Sequence, residues 1–235
     1  SELMAAPKKR GIWSWIPAIL LSLAIIAVIV TTTVLVRGGL GGPVPQPTQG
    51  QVTDLNWSAF SPKGLDYIAK TRQVRIDMST QPVDAAAIGL APDATLVLKP
   101  ISTGDTELDY DLIVNGGGEG LGGARLTVTQ ITIVTEGGVI TRVSAPLREV
   151  LNFRQTLTYL TSKAELFGWD TGSGLMPLDY TAGIFQTAED ATRAGTGYEF
   201  TFGPADATGV AFSATATCDT TGFCAVNYDV TPRVG

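Results

Sequence analysis

Apolar residues recur along this chain in three different rhythms, and each rhythm predicts a different kind of element. From Ile12 to Val36 there is no alternation at all. Twenty-five residues pass without a charge, about 37 Å of helix at about 1.5 Å per residue, against roughly 30 Å of bilayer hydrocarbon. One tilted membrane span is expected there. Farther on the period becomes two. In Gln73 to Met78 the side chains of Val74, Ile76 and Met78 oppose Arg75 and Asp77, and strands are expected again at Thr95 to Leu98, Leu108 to Val114, Leu126 to Thr135 and Val139 to Ser144. Glu136-Gly137-Gly138 reads as the hairpin turn between the last two.

The period changes once more between Pro146 and Phe167, where Leu147, Val150, Leu151, Leu157, Leu160 and Ala164 approximate a helical stripe. Ser144 or Ala145 would be its entry and Gly168 its stop, although Thr156 to Thr161 also alternates as a strand does. Thr187-Ala188-Glu189-Asp190 resembles a variant capping box for a short helix ending at Gly195. Tyr198 to Phe202 returns to strand. Val210 to Cys218 and Cys224 to Val230 then pair as a hairpin around Asp219-Thr220-Thr221-Gly222-Phe223, with Cys218 and Cys224 at its tip. The fold class expected is a mainly β domain, β-sandwich-like or α+β, carried on one N-terminal transmembrane helix.

Charge sets the orientation of that helix. Lys8, Lys9 and Arg10 precede it and only Arg37 follows, so the positive-inside bias assigns residues 1–11 to a cytoplasmic tail, 12–36 to the span, 37–52 to a linker and 53–235 to an extracytoplasmic domain. A cleaved signal peptide would have a shorter apolar region and a small-residue cleavage site, whereas here Leu35-Val36-Arg37-Gly38-Gly39 follows. Trp13 and Trp15 suit the cytoplasmic interface. Within the span Ala24, Ala27 and Thr31 share a face, a low ridge that another transmembrane helix could approach closely. Glycines open the linker, and the alternating prolines from Pro43 to Pro47 favour polyproline II.

Composition narrows the function. Of 16 basic and 22 acidic residues, all but four bases and one acid lie beyond residue 52. The outer domain is therefore clearly acidic, which argues against nucleic acid and against docking on anionic lipid. There is no histidine, so the commonest metal ligand and general base is missing. No cofactor and no metal site are expected. Outside the membrane Cys218 and Cys224 should form a structural disulfide; their spacing is not that of a redox-active Cys-x-x-Cys pair.

Three patterns resemble catalytic or nucleotide-binding motifs and read better as structure. Asp170-Thr171-Gly172 matches one half of an aspartic-protease dyad, but the nearest second copy, Asp219-Thr220-Thr221-Gly222, carries an inserted threonine. Gly118-Glu119-Gly120-Leu121-Gly122-Gly123 satisfies G-x-G-x-x-G, yet a β-branched strand follows where a dinucleotide loop must open a helix. Ser162 and Lys163 are adjacent, but no spacing makes them a nucleophile and its base. Trp57, Trp169 and Tyr180 could line an aromatic groove or pack the core. No catalytic residue is therefore named, and the chain is not expected to be an enzyme.

The Ala, Gly, Thr and Val richness, the scarcity of lysine and the uncleaved anchor look like an actinobacterial envelope protein. From Lys8 through anchor, linker and domain, the plan resembles that of the single-span accessory subunits of actinobacterial cytochrome bcc-aa3 respiratory supercomplexes. That resemblance implies a non-catalytic subunit in the cell membrane, N-terminus in and domain outside. Its partners would be other integral membrane subunits and the lipid bilayer, and it would stabilise or dock them on the outer face. Two alternatives stay open: an accessory protein of an envelope lipid or siderophore exporter, similar to the MmpS type, and an anchored cell-envelope ligand-binding domain.

Overall fold

The computed structural model describes residues 46–117, 123–169, 178–205 and 209–233. The span expected at 12–36, with Ala24, Ala27 and Thr31, lies outside them; among the described residues no helix is long and apolar enough to cross a membrane. The described part is mainly β. In chain order it runs α1 (Pro62–Thr71), β1 (Gln73–Asp77), a short 3-10 turn (Ala86–Ile88), β2 (Ala94–Leu98), β3 (Ile101–Thr103), β4 (Thr106–Leu108), β5 (Tyr110–Asn115), β6 (Gly123–Val128), β7 (Ile131–Glu136), β8 (Val139–Pro146) and β9 (Leu151–Asn152). It continues with α2 (Phe153–Phe167), α3 (Leu178–Ala194), β10 (Tyr198–Ala205), β11 (Ala211–Cys218) and β12 (Phe223–Thr231).

One large sheet organises the domain, in the order β10-β11-β12-β8-β7-β2, with the short β9 pairing on β12. Its inner face is continuous. Register pairs such as Phe202 with Ala214, Ala214 with Tyr228, Tyr228 with Ala145, and, in the next row, Val230 with Val143 and Val143 with Ile133 carry apolar rows across strand after strand, and these residues are buried. The other face is rich in threonine and charge: Thr201 and Thr215 hydroxyls sit 3.1 Å apart, and Arg142 lies 3.8 Å from Asp229. This is the apolar-in, polar-out alternation of an antiparallel sheet with one solvated face.

A three-stranded sheet β1-β5-β6, with β1 parallel to β5, contributes Val74, Ile76, Leu112, Val114, Leu126 and Val128 to the same core. The strands β10 to β12 are covered instead by α2, whose Leu157, Leu160, Ala164 and Phe167 are buried. Phe167 packs edge-on against Phe212, with ring centres 4.7 Å apart. The two-residue turn Gly137-Gly138 has positive φ at both positions, 60° and 82°, as a tight hairpin loop demands.

Four expectations are corrected. The run from Leu126 to Thr135 is two strands in two sheets, parted at Thr129-Gln130. The reason is parity: Leu126 and Val128 are even positions, Ile131 and Ile133 odd, so one unbroken strand would have pointed half of them into water. Leu108 to Val114 likewise divides at Asp109, where Arg148 holds the carboxylate at 3.1 Å. The second helix begins at Phe153, not Ser144 or Ala145, because Asn152 is its cap. The Gln155 N–H donates to Asn152 Oδ1 at 2.9 Å and the Asn152 N–H to Gln155 Oε1 at 3.3 Å, a reciprocal capping pair. It is helical throughout, Thr156 to Thr161 included. The third helix starts at Leu178, so Thr187 is no cap: its hydroxyl donates to the Gly183 carbonyl one turn earlier. The stop at Gly195, with φ 67°, is where it was expected.

The last residues of the stretch read as a linker belong to the fold. Val52 bridges Ser58, Gln49 bridges Val52, and the Ser61 hydroxyl donates to the Gly50 carbonyl.

Candidate functional site

The hairpin of β11 and β12 places Cys218 directly opposite Cys224, and the two form a disulfide with Cα atoms 3.9 Å apart. Inside that small loop the Asp219 carboxylate accepts hydrogen bonds from the Thr221 hydroxyl (2.6 Å), the Thr221 N–H (2.8 Å) and the Phe223 N–H (3.1 Å). The Thr221 hydroxyl, then the Phe223 N–H, hold its carboxyl below the ordinary aspartate range. This is turn architecture, and Asp219 is spent on it. The Asp170-Thr171-Gly172 half of the protease pattern lies outside the described residues. Gly123, last residue of the glycine-rich motif, opens strand β6, which pairs antiparallel with β5. Ser162 donates to the Tyr159 carbonyl at 2.7 Å, and Lys163 stands over the Tyr159 ring at 5.7 Å.

Trp169 is core. Its indole N–H donates to the Phe212 carbonyl at 2.9 Å, and its ring stacks on Phe212 with centres 5.3 Å apart. Trp57 lies under the Arg75 guanidinium at 5.2 Å, beside a cavity of about 60 Å³ that holds no more than a water or two. Tyr180 falls in the first turn of α3.

A roomier concavity lies at the disulfide end. The start of α2 is tied to the disulfide loop by the Phe153 N–H, which donates to the Gly222 carbonyl at 2.9 Å. That anchors the Phe153 ring where Phe185 of α3 meets it edge-on at 5.4 Å and Tyr198 of β10 at 5.6 Å. From α3, Phe185, Ala188, Glu189 and Thr192 follow at helical spacing, and Arg193, Arg154 and Gly222 complete a cleft of about 450 Å³. This is the size of a small-molecule site. Burial, and secondarily the nearby Asp219 carboxylate, push the Tyr198 hydroxyl above its ordinary value, so at neutral pH it stays a neutral donor.

The charges at the mouth are uneven. Arg193 has two acidic neighbours on its own helix, Glu189 at 3.9 Å and Asp190 at 3.8 Å. Arg154 is exposed and forms no ion pair among the described residues. Among those residues no group of three or more Cys, Asp or Glu side chains gathers to hold a metal ion.

The sequence reading missed this cleft because it began the third helix at Thr187, leaving Phe185 in a loop. The available signal was the spacing of Phe185, Ala188, Glu189 and Thr192 itself. Comparison with known proteins adds nothing to the geometry: no family model, no curated protein and no solved structure matches the chain.

Proposed function

We propose that this chain is a non-catalytic accessory subunit of a membrane-protein complex, anchored by Ile12 to Val36 and holding its mainly β domain against partner subunits on the outer face. An actinobacterial respiratory supercomplex of the cytochrome bcc-aa3 kind is the setting its plan resembles. The supporting observation is apolar surface at the disulfide end. Phe223 is 51% exposed and Val150 60%, and Val150 stands two residues before Asn152, the register partner of Phe223. An exposed aromatic and an exposed β-branched residue, at the end of the sheet that the disulfide closes, suit a docking contact.

The test is co-purification of the full chain in mild detergent. Phe223→Ser with Val150→Ser should reduce the yield of partner subunits severalfold while the domain stays folded. Leucine at Ala24 and Ala27, which fills the close-approach ridge but keeps the span apolar, should do the same without impairing insertion. Wild-type yields from both double variants would overturn the proposal. The cleft favours a second reading, an anchored cell-envelope ligand-binding domain.

A further inference from the structure

We propose that the cleft between α2, α3 and β10 is a binding site for a small monocarboxylate with an aromatic or branched apolar body. The inference deepens the ligand-binding reading and is independent of the subunit reading. It starts from Phe185, which is 37% exposed although α3 has an inward face already filled by the buried Ile184, Ala188 and Ala191. Phe185 stands at the border of that face, one turn before Ala188, which also lines the cleft. Phe185 turns toward Phe153, whose ring it meets at 89°, and with Tyr198 it leaves a three-sided aromatic recess open to solvent.

The recess offers aromatic edges and faces to an apolar body, worth more than area alone when rings meet edge to face. Orientation comes from charge. Three charged residues line the cleft, Arg154, Glu189 and Arg193, and the one acid among them is the helical neighbour of Arg193. Arg154 is left as the unneutralised charge, in a domain that is otherwise acidic. It sits one residue from Phe153, so a carboxylate on its guanidinium sets an attached apolar group against the Phe153 ring. Arginine presents a planar fork that a carboxylate can accept in two parallel hydrogen bonds. A cationic ligand would meet repulsion from that same residue, and an uncharged one would gain the aromatic contacts alone.

The walls come from separate parts of the chain and are braced. Phe153 is held by the Gly222 carbonyl, α2 by its Asn152 cap, and Tyr198 by its register with Cys218. A preorganised recess loses less on binding than a mobile one.

The test uses the full chain and three probes sharing one ring: phenylacetate, benzyl alcohol and benzyltrimethylammonium, each titrated by calorimetry or ligand-observed NMR. Phenylacetate should bind at least tenfold tighter than either of the others. Arg154→Gln should erase that preference, and Arg154→Lys should restore part of it. Phe185→Ala should weaken all three probes. Equal binding of the three probes, or an unchanged phenylacetate affinity in Arg154→Gln, would overturn the proposal. Arg154 and Phe185 are partly or wholly exposed, so neither variant threatens the fold, and an unchanged melting temperature is the control. Co-purification with membrane partners is predicted to be indifferent to Arg154→Gln, which separates failure of this site from failure of the subunit reading.

Discussion

Replacing Gly203 by alanine tests how the aromatic core is assembled. Gly203 holds φ at 82°, a region that a Cβ disfavours by about 1–2 kcal/mol. The added carbon would also lie 2.6 Å from the Phe212 carbonyl oxygen and 2.9 Å from the Trp169 Nε1, crowding both partners of a buried hydrogen bond. One of them must move, and a buried polar pair that is pulled apart loses about 1–3 kcal/mol. Together these reach on the order of 2–5 kcal/mol. For a domain of this size that is a fall in melting temperature of roughly 4–20 °C. The control is Gly138→Ala: φ is almost the same at 82°, but no atom lies within 4 Å of the new carbon. It should lose about 1–2 kcal/mol, the backbone term alone. Urea or thermal unfolding of the purified chain reads both, and Trp169 fluorescence reports the packing directly. If Gly203→Ala costs no more than Gly138→Ala, the steric reasoning is wrong.

Three further outcomes follow from the same packing. Cys218→Ser with Cys224→Ser should lower stability by roughly 2 kcal/mol, the value expected of so short a closed loop, in a thermal melt under non-reducing conditions; an unchanged melt would deny the bridge a structural role. Thr135→Val should lose about 1–3 kcal/mol by urea unfolding, because the buried Thr135 hydroxyl donates to the Ala91 carbonyl at 2.7 Å and accepts from the Ala94 N–H at 3.0 Å. In alkali, burial and then the Tyr159 hydroxyl raise the Tyr228 hydroxyl far above the ordinary tyrosine value. Its contribution to stability is whole below that ordinary value and is lost as pH rises toward the folded one. Spectrophotometric titration should show Tyr228 ionising only together with unfolding, and Tyr228→Phe should move the alkaline transition upward.

Much of the sheet was legible in the chain because alternation survives where one face is buried and the other solvated. Val74, Ile76 and Met78, and the row from Val210 to Cys218, declare their inner face by parity, and Gly137-Gly138 declares its turn. The failures came where one pattern overlaps another. Leu147, Val150 and Leu151 continue the period of the α2 stripe, although only a side-chain cap at Asn152 starts the helix. Thr187-Ala188-Glu189-Asp190 has the letters of a cap in mid-helix, where its hydroxyl bonds backward. Those two boundary errors hid the cleft, since Phe153 and Phe185 are the residues they misplaced. The disulfide was legible because pairing of the two strands dictates it; a recess built from helix, helix, strand and loop has no period to betray it.

The disulfide end joins the proposed docking surface to the cleft through one short run of bonds. Cys218 to Cys224 closes the loop, Asp219 ties its turn, the Gly222 carbonyl holds the Phe153 N–H, and Phe153 forms the floor on which Phe185 and Tyr198 converge. Phe223, next to Gly222, carries exposed apolar surface at the same end. Loosening that loop should therefore disturb both surfaces at once, whereas Arg154→Gln touches only the cleft and Phe223→Ser only the proposed docking surface. Reduction of the full chain, read by phenylacetate affinity and by partner yield in the same preparation, distinguishes these arrangements. Parallel loss of both is the expected result. Loss of one with the other intact would mean that the two surfaces are supported separately, and that the loop serves only the one that failed.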